Sequence, residues 1–267
     1  PSGWASGKYI DPKLKRTDPK LFDANGNPLY DTDWQKETIQ DAFSTNQQLS
    51  IAGGNPNESY GAYLGYRNDN GLIKDSWLKR YSGRFVMDSQ IKEWLKFGGN
   101  LSYNYQDESQ NDRIGRGSAD VHPQRQMLGS IPILPVKYPD GSWSSDADYF
   151  QLLPNPTHIR AERYYYLKTQ TLLGNMYLNI NLAKNLELRT TIGTNALTQE
   201  IAFYSGRTIN YLSRDQGGRA EVTNRRFRSW QFENYMTYSR KIAEIHSFSG
   251  LLGLSWQHLD QFSATAA

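Results

Sequence analysis

Residues 95–106 have the sequence Leu95-Lys96-Phe97-Gly98-Gly99-Asn100-Leu101-Ser102-Tyr103-Asn104-Tyr105-Gln106, in which apolar and polar residues alternate. Successive side chains of a β-strand point to opposite faces of its sheet. The segment is therefore predicted to be a strand with an apolar face that carries Leu101 and a polar face that carries Asn100. This alternation decides the fold class, because the rest of the chain repeats it.

The same period of two predicts about eight strands, at 44–54, 58–68, 79–89, 94–106, 163–182, 186–204, 219–240 and 246–260. Their connections alternate between tight turns, such as 53–57, and longer segments, of which 107–162 is the longest. That alternation is typical of an antiparallel up-and-down meander with two unequal rims. We predict an all-β fold with four strands in 44–106, four more in 163–260, and the start of another loop in 261–267.

Residues 1–43 lack the alternation and contain many Gly, Pro, Asp and Asn residues, which are typical of loops. One short helix is predicted near 33–43. Thr32 and Gln35 have the spacing of a capping box, and Asp33 and Glu37 suit the positive end of a helix. The segment is thus predicted to be a loop with one helix.

Composition excludes several classes of protein. The chain has 267 residues, 30 Lys and Arg against 27 Asp and Glu, and no cysteine. A formal charge of +3 is too small for nucleic-acid binding, and there is no apolar run long enough for a transmembrane helix. The four histidines have no metal-ligand spacing. We find no catalytic constellation, and we expect no enzymatic activity, metal or cofactor.

Alternation alone does not say which face meets water. In a soluble sandwich the apolar face packs inward, whereas in an outer-membrane barrel it meets lipid. Long strands, aromatic residues near strand ends and a polar face rich in Asn, Ser, Thr and Gln favour the barrel. Two alternatives stay open: a soluble all-β carbohydrate-binding module, and an all-β glycoside hydrolase with two carboxylates facing one cleft.

Several motifs in 31–105 resemble the SusC/RagA family of TonB-dependent outer-membrane receptors. The resemblance depends on Thr32-Asp33-Trp34-Gln35, Leu49-Ser50-Ile51-Ala52-Gly53-Gly54-Asn55, Tyr60-Gly61-Ala62-Tyr63-Leu64-Gly65-Tyr66, and the stretches 70–74, 80–85 and 94–103. Residues 161–260 are similar in style, with weaker motifs. Residues 107–160 match nothing in the family.

The resemblance implies one part of a large plugged barrel in the bacterial outer membrane, in contact with its lipid. It implies import of oligosaccharides or peptides, capture by a SusD-like surface lipoprotein, and energy supplied by the TonB complex. The family's plug domain has no counterpart in this chain, so TonB is expected to act through a plug outside it. Residues 1–43 are then expected to be an outer loop, and 107–162 a long outer loop.

Two groups of residues are candidates for substrate or partner contact. In the long loop, Trp143, Tyr138, Tyr149 and Phe150 could stack on sugar rings or pack under a lipoprotein, or they could simply pin the loop to its own barrel. On the polar faces of the strands, the candidates are Arg84, Asp88, Asn100, Asn104, Glu187 and Arg189, which could instead form ion pairs or contact the plug. Arg225, Arg226 and Arg228 are interpreted as a basic cluster on an outer extension of one strand.

Overall fold

One antiparallel sheet dominates the structure. The computed structural model describes residues 18–109, 123–145, 154–209, 217–243 and 245–267. Within them, eight strands pair only with their neighbours in sequence, from β1 to β8. The strands are β1 Ser44–Asn55, β2 Glu58–Asn70, β3 Trp77–Lys92, β4 Leu95–Ser109, β5 Arg163–Ala183, β6 Leu186–Ser205, β7 Arg219–Ile242 and β8 His246–Ala266. The predicted all-β meander is confirmed.

The last strand is longer than the sequence analysis predicted. β8 stays paired with β7 as far as the Val222↔Ala266 register pair. The prediction that 261–267 begins a loop was therefore wrong. Residues 261–265 are mostly small or polar, which hides the strand, yet β7 extends far enough to provide backbone partners for all of them.

Three short helices are present in the described residues, where one was predicted: α1 Trp34–Thr38, α2 Pro123–Gly129 and α3 Pro156–Glu162. α1 ends well before residue 43, because Ile39 is extended and forms a bridge with Ile73. Its cap is Asp33, whose carboxylate accepts hydrogen bonds from the backbone N–H groups of Gln35 and Lys36. The prediction that Thr32 caps this helix was wrong.

Thr32 has a different partner because a small apolar core lies at one rim of the sheet. The Thr32 hydroxyl donates to the carbonyl oxygen of Leu134 at 2.6 Å, and the indole N–H of Trp34 donates to that of Ile131 at 2.9 Å. The buried members of this core come from two distant segments; they are Leu21, Phe22, Trp34, Ile131, Ile133 and Leu134. We call residues 18–43, 123–145 and 154–162 the rim subdomain.

The rim subdomain lies at the rim of the longer connections. The backbone N–H of Gln40 donates to the carbonyl of Leu72, and that of Lys74 donates to the carbonyl of Thr38. Both bonds join the subdomain to the β2–β3 connection, at the opposite rim from the tight turn at 53–57. The described part of 1–43 thus shares a rim with the described part of 107–162.

The sheet itself has no second layer packed on it within the described residues. Leu101, Leu178 and Leu252 have 44%, 37% and 67% of their surface exposed. They therefore do not gather into a dry centre between two sheets, as they would in a sandwich. No helix in the described part of the chain has the length and hydropathy to cross a membrane.

Candidate functional site

The two faces of the sheet have opposite chemistry. Residues directly opposite each other on paired strands share a face, and register places Ile51, Ala62, Phe85 and Leu101 in one row. We call the side of the sheet that carries this row the apolar face. Leu64, Leu252 and Trp256 belong to it too and are at least half exposed.

Aromatic side chains border the apolar face. Near the long-connection end, the ring of Tyr81 lies 5.1 Å from that of Tyr66 and 6.3 Å from that of Tyr105. Near the other end, Tyr238 and Phe248 are paired at 6.3 Å. From Leu95 to Tyr105 the strand advances roughly 33 Å, or about 25 Å along a barrel axis at the usual tilt of ~40°. That height matches the apolar band of a membrane barrel.

The opposite side of the sheet, which we call the polar face, carries all six strand residues predicted to contact substrate or partner. Arg84 is opposite Ser102, and Asn104 is opposite Ser82. Asn100 donates from its amide nitrogen to the side-chain oxygen of Asn175 at 2.8 Å. Arg84 is exposed and forms no ion pair or hydrogen bond with another described residue. The alternation therefore predicted the shared face correctly.

Arg189 belongs to a charged cluster at the tight-turn end of the polar face. Its guanidinium carbon lies 4.1 Å from the ring centroid of Tyr177, a cation–π arrangement. The Tyr177 hydroxyl donates to Asp88, and the ammonium of Lys96 lies 3.4 Å from the same carboxylate. Gly98 allows this, because a Cβ there would lie 2.6 Å from Cζ of Tyr177.

The loop candidates are engaged inside the rim subdomain. The Trp143 ring stacks on His158 at 4.8 Å with 7° between the planes, and the ammonium of Lys137 lies 4.1 Å from its centroid. Tyr138 packs against the apolar core. Their geometry matches the alternative that such residues pin the loop. Tyr149 and Phe150 lie outside the described residues.

His158 has a perturbed pKa in this stack. Burial lowers its pKa from the ordinary value, and Glu162 opposes the change. The imidazole nitrogen Nε2 lies 3.1 Å from the Thr208 hydroxyl and 3.4 Å from the Glu162 carboxylate. The neutral imidazole is therefore the form that the folded rim subdomain favours.

The predicted basic cluster on β7 is divided between the two faces. Arg225 lies opposite Gln199 on the polar face, whereas Arg226 and Arg228 lie on the side of the apolar face. The prediction of a single cluster was wrong, because adjacent residues of a strand point to opposite faces of the sheet. Among the described residues, no group of three or more His, Asp or Glu side chains is close enough together to hold a metal ion.

Comparison with known proteins finds relatives of one kind. No protein-family model matches the chain. It is 28% identical to TonB-dependent receptor P26 of Formosa agariphila over 84% of its own length and 22% of the relative's. It is 30% identical to the TonB-dependent receptor SusC of Bacteroides thetaiotaomicron over 43% of its length and 12% of SusC. These similarities confirm the predicted resemblance to the SusC-like TonB-dependent receptors.

Solved structures support the same fold for this SusC-like chain. It superposes on the RagAB peptide transporter with a TM-score of 0.67 and 21% identity, over 93% of this chain and 28% of that one. The open meander thus matches the fold of part of a TonB-dependent receptor barrel. The chain spans about a fifth of the length of the curated relatives that it matches most extensively, and those relatives are named as receptors.

Proposed function

We propose that this chain forms part of the wall of a bacterial outer-membrane importer of oligosaccharides or peptides, which works with the TonB complex and a SusD-like surface lipoprotein. The relatives' names support TonB dependence. One structural neighbour is a peptide transporter, which supports import of a substrate larger than a single nutrient molecule.

The observation that carries the proposal is the exposed apolar face. In water, such a face would have to be covered by a second layer, and the described residues provide none. In an outer membrane, lipid covers it, and the polar face lines a hydrated lumen. The proposed outer loops are the rim subdomain and the other long connections.

The candidate contacts divide between two sites. Arg84, Asn100 and Asn104 are proposed to meet substrate in the lumen, whereas the cluster that holds Arg189 is suited to a fixed contact with other protein in the lumen. Tyr138 and Trp143 are proposed to support the rim surface rather than to touch substrate. On that rim Leu29 and Leu128 are 48% and 69% exposed, a surface that a lipoprotein could cover.

Adjacent single-cysteine variants test the proposal. The chain has no cysteine, so Leu101→Cys and Asn100→Cys each introduce one thiol into it, on opposite faces at the same depth. Each variant of the protein that contains this chain is labelled with a fluorophore and embedded in lipid vesicles. A nitroxide on the lipid chains should quench the label at 101, and aqueous iodide should quench the label at 100.

Different results would support the alternative of a soluble carbohydrate-binding module. A soluble carbohydrate-binding module would stay in the aqueous fraction without detergent, and lipid nitroxides would quench neither label. Equal quenching of both labels by the lipid nitroxide would also refute a barrel wall, because one face of a wall must contact water.

A further inference from the structure

We propose a binding site for the carboxylate of an imported oligomer, on the polar face of β5, β6 and β7 at the long-connection end. The inference depends on the proposed function, because it requires this face to line the route of the substrate. None of the candidate residues chosen from the sequence for substrate contact belongs to this site.

A cavity of about 140 Å³ marks the site. Its lining combines two aromatic rings, one aliphatic side chain, two arginines, one carboxylate and one aliphatic hydroxyl; these belong to Tyr165, Phe203, Ile201, Arg219, Arg225, Glu221 and Thr223. Pockets for whole drug-sized ligands are usually ~300–1,000 Å³. This cavity is therefore suited to one residue of a longer ligand rather than to a complete small molecule.

The two rings pack together with two arginine side chains, one of which, Arg163, lies beside the cavity rather than in its lining. Tyr165 and Phe203 pack edge to face, with centroids 6.4 Å apart. The guanidinium carbons of Arg163 and Arg219 lie 5.5 Å and 5.7 Å from the Phe203 centroid. Such contacts hold the side chains of Arg163 and Arg219 in place, so they fix the aromatic surface beside Arg225 before a ligand binds.

The charges around the cavity are unbalanced. Glu221 is the one carboxylate among the described lining residues, and it is already engaged by Arg219 at 2.5 Å and by the Thr223 hydroxyl at 3.3 Å. Arg225 is exposed and has no ion pair or hydrogen bond with any described residue. One guanidinium thus faces the cavity without an anion from the described part of the chain.

The guanidinium of Arg225 is suited to binding a carboxylate. The planar fork of arginine binds a carboxylate through two parallel hydrogen bonds, and the neighbouring rings offer apolar surface to the atoms that carry it. A uronic acid residue of a glycan and an acidic side chain of a peptide share this chemistry. Neutral oligomers lack the group that would pair with Arg225.

Neighbouring arginines provide a matched test. Arg225→Gln removes the unpaired charge from the polar face. Arg226→Gln removes the same charge one residue later on the same strand, but on the other face, where Arg226 lies 3.7 Å from Asp260. Calorimetric titrations of the whole receptor in lipid nanodiscs use two pairs of probes: hexagalacturonate with neutral hexagalactose, and hexaglutamate with hexaglutamine.

The unsubstituted receptor should bind at least one acidic probe more tightly than its neutral partner. Arg225→Gln should reduce that preference by at least about tenfold, the contribution of the weaker hydrogen bonds to charged groups, and Arg226→Gln should leave it unchanged. Arg225→Lys should restore part of it, because the charge returns without the fork. Which acidic probe is preferred distinguishes a glycan from a peptide ligand.

No preference for either acidic probe, or equal losses in Arg225→Gln and Arg226→Gln, would overturn the proposal. These outcomes are separable from failure of the proposed function. If lipid and water still quench labels at 101 and 100 as expected, the barrel wall stands and only the carboxylate site is refuted.

Discussion

Leu101→Arg should strongly destabilise the membrane-embedded protein, whereas Asn100→Arg should not. The two positions are adjacent on β4 and face opposite sides of the sheet. Leu101 is 44% exposed on the apolar face, and its Cδ1 lies beside Gly174, where a Cβ would approach it to 3.0 Å. An arginine at 101 would therefore have to enter hydrocarbon.

The expected destabilisation by Leu101→Arg depends on how deep residue 101 lies in the apolar band. Leu101 lies four residues below Tyr105, or about 13 Å along the strand and roughly 10 Å below the aromatic border at a tilt of ~40°. That places it near the middle of a band about 25 Å high, where an arginine costs about 2–4 kcal/mol. Loss of the leucine side chain from lipid adds about 1.5–3 kcal/mol. We expect a total of about 4–7 kcal/mol.

Unfolding by urea in lipid vesicles measures the difference. Asn100→Arg loses one exposed hydrogen bond to Asn175, worth about 0.5–1.5 kcal/mol, and the new charge stays in water. A loss of stability in Asn100→Arg as large as that in Leu101→Arg would refute the assignment of faces. So would tolerance of arginine at both positions, since an uncovered soluble sheet would accept charge on either side.

Three further changes test local features. Trp34→Ala removes a buried indole and its hydrogen bond to the carbonyl oxygen of Ile131. A core truncation of this kind costs about 3–5 kcal/mol. Proteolysis of the rim subdomain should therefore accelerate, while quenching of labels in the sheet by lipid nitroxides stays unchanged. Burial lowers the pKa of His158, so its contribution to rim stability is present above about pH 6.5 and is lost as pH falls through the lowered pKa. The protection of rim amides, measured as their exchange rate relative to the intrinsic rate at the same pH, should therefore decrease at low pH, and His158→Gln should reduce this dependence. Gly98→Ala places a Cβ 2.6 Å from Cζ of Tyr177, so the tyrosine ring must move. The movement should lower the free energy of unfolding by about 1–3 kcal/mol. An unchanged midpoint of thermal unfolding in vesicles would contradict the proposed packing.

Most of the sheet was predictable because a period of two is a local property. The alternation at 95–106 places Leu101 and Asn100 on opposite faces whatever surrounds the strand. It also separates Arg225 from Arg226, so the division of that pair between the faces was readable before the structure. The end of β8 was not, because in 261–266 small and polar residues weaken the alternation, and pairing with β7 continues the strand.

The rim subdomain was the least predictable part, since its contacts join distant segments. Thr32 has the spacing of a helix cap, yet its hydroxyl bonds to Leu134, across 102 residues of chain. Trp143 similarly stacks on His158, in a helix that the alternation does not indicate. Aromatic residues in a long loop suggest contact with a ligand when only the sequence is known. In this structure they pack within the loop and its neighbours and stabilise the rim subdomain.

The rim and the sheet depend on different solvents for their stability. The apolar core of the described residues is in the rim subdomain, so burial of apolar surface from water stabilises that part. The sheet buries little of its apolar face, and in the described residues β1 and β8 each have one edge without a partner. Such edges pair with other strands or aggregate in water, and in lipid every backbone group must be satisfied. The sheet therefore needs both hydrocarbon on its apolar face and further strands at its edges, which explains why its fold is found within larger receptor barrels.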